Sequence, residues 1–317
     1  MKVTIWGSRG SIPASIKAES IRKKIFTAID KAKNEPLNDA DEINRFIDEK
    51  LPFCVHSTYG TNTSCVELND TDGEFLLLDA GSGLRDFGNY IMKKGKFPCR
   101  FHIFLSHLHW DHIHGYPFFT PAFIKGNRID FYAFHDQVES AFVSQQASPY
   151  FPVPFEYMQS DKHFHLLKTT ETYDICGFNV KGIEQNHHGK SYGFSFDKDG
   201  KKIVYSTDSE HILDYDHNLQ KFIDFFQDAD LLIFDAQYSL MDVIQTKRTW
   251  GHSSNVIGLE MAIRSKVKHY CMFHSEPTYD DERLDSILKE TLAYKSIYAP
   301  ESNLKISIAY DGFVIDV

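Results

Sequence analysis

Four residues with metal-ligand chemistry, His107, His109, Asp111 and His112, fall within six positions directly after the apolar run Phe101-His102-Ile103-Phe104-Leu105. Neutral imidazole and carboxylate are the donors that zinc accepts in open, catalytic sites. In extended backbone alternate side chains share a face, so His107 and His109 point the same way, and the turn that follows can swing Asp111 and His112 towards a second point. Packing is a poor reason for such a cluster, because each buried polar group would need its own partner. The chemistry expected of it is metal-assisted hydrolysis.

A metal site draws ligands from distant parts of a chain, and the elements that would supply them share a pattern. Asp79 follows Leu76-Leu77-Leu78, His187 follows a strand ending at Gln185, Asp208 follows Ile203-Val204-Tyr205-Ser206-Thr207, Asp235 follows Leu231-Leu232-Ile233-Phe234, and His274 follows Tyr270-Cys271-Met272-Phe273. Apolar strands that each end in a ligand-type residue can converge on one rim of a layered sheet fold. Apolar and β-branched runs predict strands over 2–6, 64–68, 75–78, 100–105, 129–134, 179–185, 193–196, 202–206, 231–234, 269–273, 305–309 and 312–315. Helical spacing predicts helices over 16–33, 41–49, 137–145, 220–226, 255–265 and 282–295, with Ser253, Ser254 or Asn255 as N-cap of the fifth. The chain reads as one domain, 1–317, with a helical insertion at about 14–56 and an aromatic, Pro-rich insertion at about 137–167.

Hydrophobic residues make up 42% and charged ones 25%, so the chain can bury a sizeable core. Lys and Arg number 34 against 44 Asp and Glu, a formal charge of −10, and no long run of like charge offers a nucleic-acid arm or a membrane patch. A polyanionic substrate would then meet positive charge mainly from bound metal ions. The five cysteines (Cys54, Cys65, Cys99, Cys176, Cys271) lack any C-x-x-C spacing, which argues against a disulfide framework or a cysteine zinc knuckle. Met1 leads directly into a strand pattern, and no apolar stretch reaches membrane-spanning length, so a cytoplasmic address is expected.

The order and spacing of these motifs resemble the metallo-β-lactamase superfamily, which implies an α+β four-layer αββα sandwich. Trp6-Gly7-Ser8-Arg9-Gly10-Ser11-Ile12-Pro13, Asn62-Thr63-Ser64-Cys65, His107 to His112, Asp235-Ala236-Gln237-Tyr238, Trp250-Gly251-His252-Ser253 and Phe273-His274-Ser275-Glu276-Pro277 are similar to its ribonuclease Z and cyclic-phosphodiesterase branch. The resemblance implies two divalent ions, Zn2+ or alternatively Mn2+. One would be held by His107, His109 and His187, the other by Asp111, His112 and His274, with Asp208 bridging and Asp79 orienting ligands from behind. His187 is preferred to His188 because the branch's Asn-His-Pro-Gly pattern aligns with Asn186-His187-His188-Gly189. Two such ions lower the pKa of a shared water and offset charge on phosphoryl oxygens. Taken alone, a His before a helix is more often a cap or packing residue; the resemblance instead makes His252 a proton donor to the leaving group, held by Asp235. Asp111, His252 and Asp235 are therefore the expected catalytic residues. Thioesterases of the glyoxalase II type share the ligands without this pair.

The expected substrate is a small cyclic phosphodiester, either a cyclic nucleotide or a ribose cyclic phosphate. A tRNA 3′-processing endonuclease is the alternative, disfavoured because such enzymes carry a basic arm, whereas 137–167 is aromatic and poor in Lys and Arg. Thioester or lactone hydrolysis is the further alternative. No stable nucleic-acid partner and no membrane are expected, and relatives suggest a homodimer with 14–56 as a contact. Gly7-Ser8-Arg9-Gly10-Ser11 reads equally as a phosphate-binding turn and as a plain tight turn. Gly81-Ser82-Gly83-Leu84-Arg85 reads as the turn that frees Asp79. His114, His135, His163, His165 and His211 match no motif and are expected on the surface or in the core.

Overall fold

The computed structural model describes residues 1–69, 73–211, 217–247 and 249–317. Its strands are β1 (Lys2–Gly7), β2 (Cys65–Asn69), β3 (Glu74–Leu78), β4 (Arg100–Phe104), β5 (Arg128–Ala133), β6 (Asp161–Leu166), β7 (Tyr173–Ile175), β8 (Phe178–Gln185), β9 (Ser191–Lys198), β10 (Lys201–Ser206), β11 (Leu231–Asp235), β12 (His269–Phe273), β13 (Lys305–Ile308) and β14 (Val314–Asp316). They form two seven-stranded sheets, ordered β14-β1-β2-β3-β4-β5-β6 and β13-β12-β11-β10-β9-β8-β7. Strands β3 to β6 are parallel neighbours, and so are β10 to β13.

Strand alternation explains the layering. On β4, Phe101 and Ile103 pack with Phe87 and Ile91 of the helix Gly83–Lys94, while Phe104 faces the opposite sheet. On β11, Leu232 and Phe234 meet Phe222 and Phe226 of the helix His217–Phe226, while Leu231 and Ile233 turn inward. Strands buried on both faces need apolar side chains on both, which is why they read as continuous apolar runs. Three apolar clusters result, one between the sheets and one under each outer helical layer: an αββα sandwich.

Strands β1 and β2 are antiparallel neighbours, so the helices Ala18–Ala32 and Ala40–Lys50 loop out of what would otherwise be a hairpin. Lys24 fastens this excursion to Asp281 at the start of the helix Asp281–Tyr298. The last part of 137–167 departs from the expected insertion, because Asp161–Leu166 is β6, the edge strand paired in parallel with β5. Its polar sequence hides it; only Phe164, stacked on Phe131, marks the buried face. The Gly81–Arg85 stretch also departs from expectation. The helix Gly83–Lys94 begins there, and Leu84, Phe87 and Ile91 at helical spacing outweigh the local glycines. Among the described residues no helix is long and apolar enough to cross a membrane.

Candidate metal centre

The strand ends deliver donors to one rim. Asp79 directly follows β3, His107 and Asp208 lie just beyond β4 and β10, Asp235 ends β11, His274 directly follows β12, and His187 lies just beyond β8. Asp79, Asp208 and His274 have left-handed backbone, with φ of 61°, 41° and 61°. That conformation costs a non-glycine residue about 1–3 kcal/mol and persists where the surroundings impose it. Here it breaks strand alternation at the residues whose side chains turn across the rim.

Two donor groups result, each with its ligand atoms within 4.8 Å: His107, His109, His187 and Asp208, and Asp111, His112, Asp208 and His274. In the first, Asp208 Oδ2 lies 3.5 Å from His107 Nε2 and 3.7 Å from His187 Nε2, which is itself 3.2 Å from His109 Nδ1. In the second, Asp208 Oδ1 lies 3.2 Å from His112 Nε2 and 3.3 Å from His274 Nε2; Asp111 Oδ2 lies 3.3 and 3.1 Å from the same two nitrogens. A tetrahedral zinc ion with bonds of about 2.0–2.1 Å spaces its donors about 3.3 Å apart, so both groups have the spacing of a coordination shell.

The imidazoles are aimed by their other nitrogens. His112 Nδ1 is 2.7 Å from Asp79 Oδ2, and Asp79 also accepts from the Ser106 amide at 2.8 Å and the Tyr205 hydroxyl at 2.6 Å. His187 Nδ1 donates to the Gly251 carbonyl at 2.7 Å. Both rings therefore present Nε2 to the cluster, an orientation device common to metal-ligating histidines. His107 Nε2 is buried and makes no hydrogen bond. Ser11 donates its amide to Asp111 Oδ2 at 2.7 Å, and a Cβ on neighbouring Gly10 would come within 2.7 Å of the His274 ring, so only glycine lets this loop pass.

Charge gives an independent test of fit. Asp79, Asp111, Asp208 and Asp235 are all buried, and among the described residues no Lys or Arg forms an ion pair with any of them. Burial is the main cause that holds His107, His109 and His187 below the usual histidine range, which leaves them neutral. Burial also opposes a charge on His112, but Asp208, Asp111 and Asp79 outweigh it and hold this ring towards protonation. A buried carboxylate without a counter-charge is costly; Asp235 has His252 beside it, and divalent cations would offset the charge that Asp79, Asp111 and Asp208 gather at the rim. The residues fit a dinuclear site.

His252 sits beside the cluster, its ring centroid 5.0 Å from that of His187 and 5.2 Å from that of His274. Ser254 caps the helix Asn255–Arg264 through the Ile257 amide and so fixes the chain just after His252. Asp235 Oδ2 accepts from His252 Nδ1 at 2.9 Å and is itself held by the Ser209 amide. Burial works against a charged His252, but Asp235, with Asp208 and Asp111, raises it to about 9.

All ten residues singled out in the sequence thus lie at this rim, while His188 is exposed. Arg9 does not reach it: its guanidinium donates to the carbonyls of Gly60, Glu276 and Tyr279, so of the two readings of the first turn its side chain follows the structural one. The other unmatched histidines have local partners, such as Lys190 carbonyl for His135 and Asp130 for His165, and His114 bonds Thr63. Sequence reasoning missed Ser106, Tyr205 and Gly251. Tyr205 carried the one available signal, a phenol hydroxyl following the apolar pair Ile203-Val204.

A beta-lactamase superfamily domain model matches residues 75–275. Ribonuclease Z from Haloarcula marismortui is 26% identical over 147 residues, 44% of this chain and 43% of that protein. Ribonuclease Z from Brevibacillus brevis is 31% identical over 105 residues, 33% of this chain and 30% of that protein. The matched stretches span less than half the length of either relative. Zn(2+)-bound PqqB from Methylobacterium extorquens superposes with a TM-score of 0.65 over 100% of both chains at 15% identity, a likeness of fold.

Proposed function

The chain belongs to the beta-lactamase superfamily, and on that premise we propose that it is a dinuclear-metal phosphodiesterase that hydrolyses a small cyclic phosphodiester, a cyclic nucleotide or a ribose cyclic phosphate. The observation that carries the reading is Asp208, whose two carboxylate oxygens face different groups of histidines. Divalent ions held there by His107, His109, His187, Asp111, His112, His274 and Asp208 would activate water and offset charge on the phosphoryl group. The imidazole-rich donor set, and a zinc-bound protein of like fold, favour zinc over manganese.

The chain's own residues complete the reaction. Asp79, gripped by Ser106 and Tyr205, keeps the His112 ring in place, and the Ser11 amide anchors Asp111. His252, bonded through Nδ1 to Asp235, has Nε2 as the atom that passes a proton to the leaving alkoxide. A thioester leaving group needs no such proton, which is why this pair favours phosphodiester cleavage.

The matched ribonuclease Z relatives favour a second reading, cleavage of an RNA. Against it stands the segment 137–167, whose only Lys or Arg is Lys162, an ammonium engaged by the Met158 and Ser160 carbonyls. Turnover of 3′,5′- and 2′,3′-cyclic nucleotides, a ribose cyclic phosphate, a precursor tRNA and a thioester, measured side by side, separates the readings. A cyclic phosphodiester is expected to be hydrolysed fastest. Precursor tRNA cleaved while every cyclic substrate is left intact would replace this reading with the endonuclease, and preference for the thioester would discard both.

Homodimer formation through the helix Ala18–Ala32 belongs to the same reading. None of its residues is buried, and Ile21, Ile25, Phe26 and Ile29 form a stripe exposed by 48–69%. Such a stripe on a surface helix marks a contact face. Sedimentation should give a dimer for the parent protein and a monomer for Phe26→Asp; a monomeric parent refutes the contact.

A further inference from the structure

The layer between the sheets is filled by side chains such as Leu76, Phe104, Phe196 and Ile203. At its end remote from Asp79, three groups of different chemistry converge. Glu74 opens β3, His102 lies in β4, and Cys176 lies in the turn from β7 to β8, and their donor atoms are within 4.8 Å of one another. Glu74 Oε2 is 3.2 Å from His102 Nε2 and 3.3 Å from Cys176 Sγ. Zinc bonds of about 2.3 Å to sulfur and 2.0–2.1 Å to nitrogen or oxygen place tetrahedral donors about 3.3–3.5 Å apart, so both spacings fit.

The backbone supplies a separate argument. Cys176 and Gly177 alone join β7 to β8, and both have positive φ, 54° and 76°. Two-residue hairpin turns of this kind favour Asn, Asp or Gly at the first position. A cysteine there is strained by its own backbone, yet its thiol reaches from the second sheet to Glu74 on the first. His102 is 2% exposed, and its Nδ1 lies 3.1 Å from the Tyr132 hydroxyl, an arrangement that leaves Nε2 facing Glu74 and Cys176. Arg100 holds the other oxygen of Glu74 at 3.4 Å while its own charge is countered by Asp130 at 2.9 Å.

We propose that Cys176, His102 and Glu74 bind one further divalent cation of the zinc class, separate from the His and Asp rim, which ties the β7–β8 hairpin of one sheet to β3 and β4 of the other. One thiolate, one carboxylate and a neutral imidazole balance its charge. Binding exchanges the thiol proton for the metal and releases that proton to solvent, with no change of oxidation state. Burial and the adjacent Glu74 push the Cys176 thiol up to about 12, so the proton stays until a cation displaces it.

Cobalt(II) substitution of the full chain tests the site. The parent protein should show a thiolate-to-cobalt charge-transfer band in the near ultraviolet, absent in Cys176→Ser and weakened in His102→Gln, together with a metal content one ion per chain higher than in Cys176→Ser. The band reports sulfur ligation alone, so its outcome does not depend on how many ions the rim takes. Cys176→Asn suits the turn and guards against a folding defect: in chelator it should melt no lower than the parent, and added zinc should raise its melting temperature less. Absence of the band in the parent, or its survival in Cys176→Ser, overturns the site and leaves a hydrogen-bonded triad.

Discussion

Asp208→Ala should lose metal from both donor groups of the rim at once: bound zinc falls by close to two ions per chain, and hydrolysis falls to background. The expectation follows from geometry, because Oδ2 faces His107 and His187 while Oδ1 faces His112 and His274. Elemental analysis after chelator-free purification is the measurement. A melting curve in chelator separates metal loss from misfolding. There a single cooperative transition should persist, at a temperature no higher than the parent's, because the variant also loses the pairs that Asp208 makes with His112 and His274. Retention of both ions by Asp208→Ala would falsify the shared-ligand assignment.

His252→Ala should behave in the opposite way, keeping both ions while kcat falls by about 10²–10⁴-fold, the usual range for a positioned proton donor. The loss should be large for alkoxide leaving groups and small for a nitrophenolate, which departs without a proton. The pH profile carries the same information. A histidine raised to about 9 is protonated below that value and loses its proton as pH rises through it, so parent activity should decline on the alkaline side. That limb should vanish in His252→Ala and move to lower pH in Asp235→Asn, because Asp235 supplies the charge and hydrogen bond that hold the proton. Full turnover of a poor-leaving-group phosphodiester by His252→Ala would remove His252 from the mechanism.

Residues were easier to foresee here than some of the elements that carry them. An Asp or His at or just beyond the end of an apolar strand is a local signal, and it singled out Asp79, Asp208, Asp235 and His274 from positions far apart in the chain. The helix Gly83–Lys94 was hidden by Gly81-Ser82-Gly83, since turn-forming residues at its start outweigh a short apolar stripe until that stripe has a sheet to pack against. Strand β6 was hidden because an edge strand can be polar and still pair. Arg9 shows the reverse case, a side chain typical of anion binding whose guanidinium is taken up by three backbone carbonyls.

What the sequence by itself determined is the kind of donor and the face of each strand, because periodicity and side-chain chemistry act over a few residues. It also carried the strand-end order on which the cluster His107, His109, Asp111 and His112 acquires its distant partners. Only the tertiary structure decided which oxygen of Asp208 meets which histidines, that Tyr205 reaches across to Asp79, and that Cys176 meets Glu74 102 residues away. The pairings of Asp208 with His107 and His112, of Tyr205 with Asp79 and of Cys176 with Glu74 join one sheet to the other. Their register depends on how the shared apolar layer packs, and no local pattern in the chain encodes that packing.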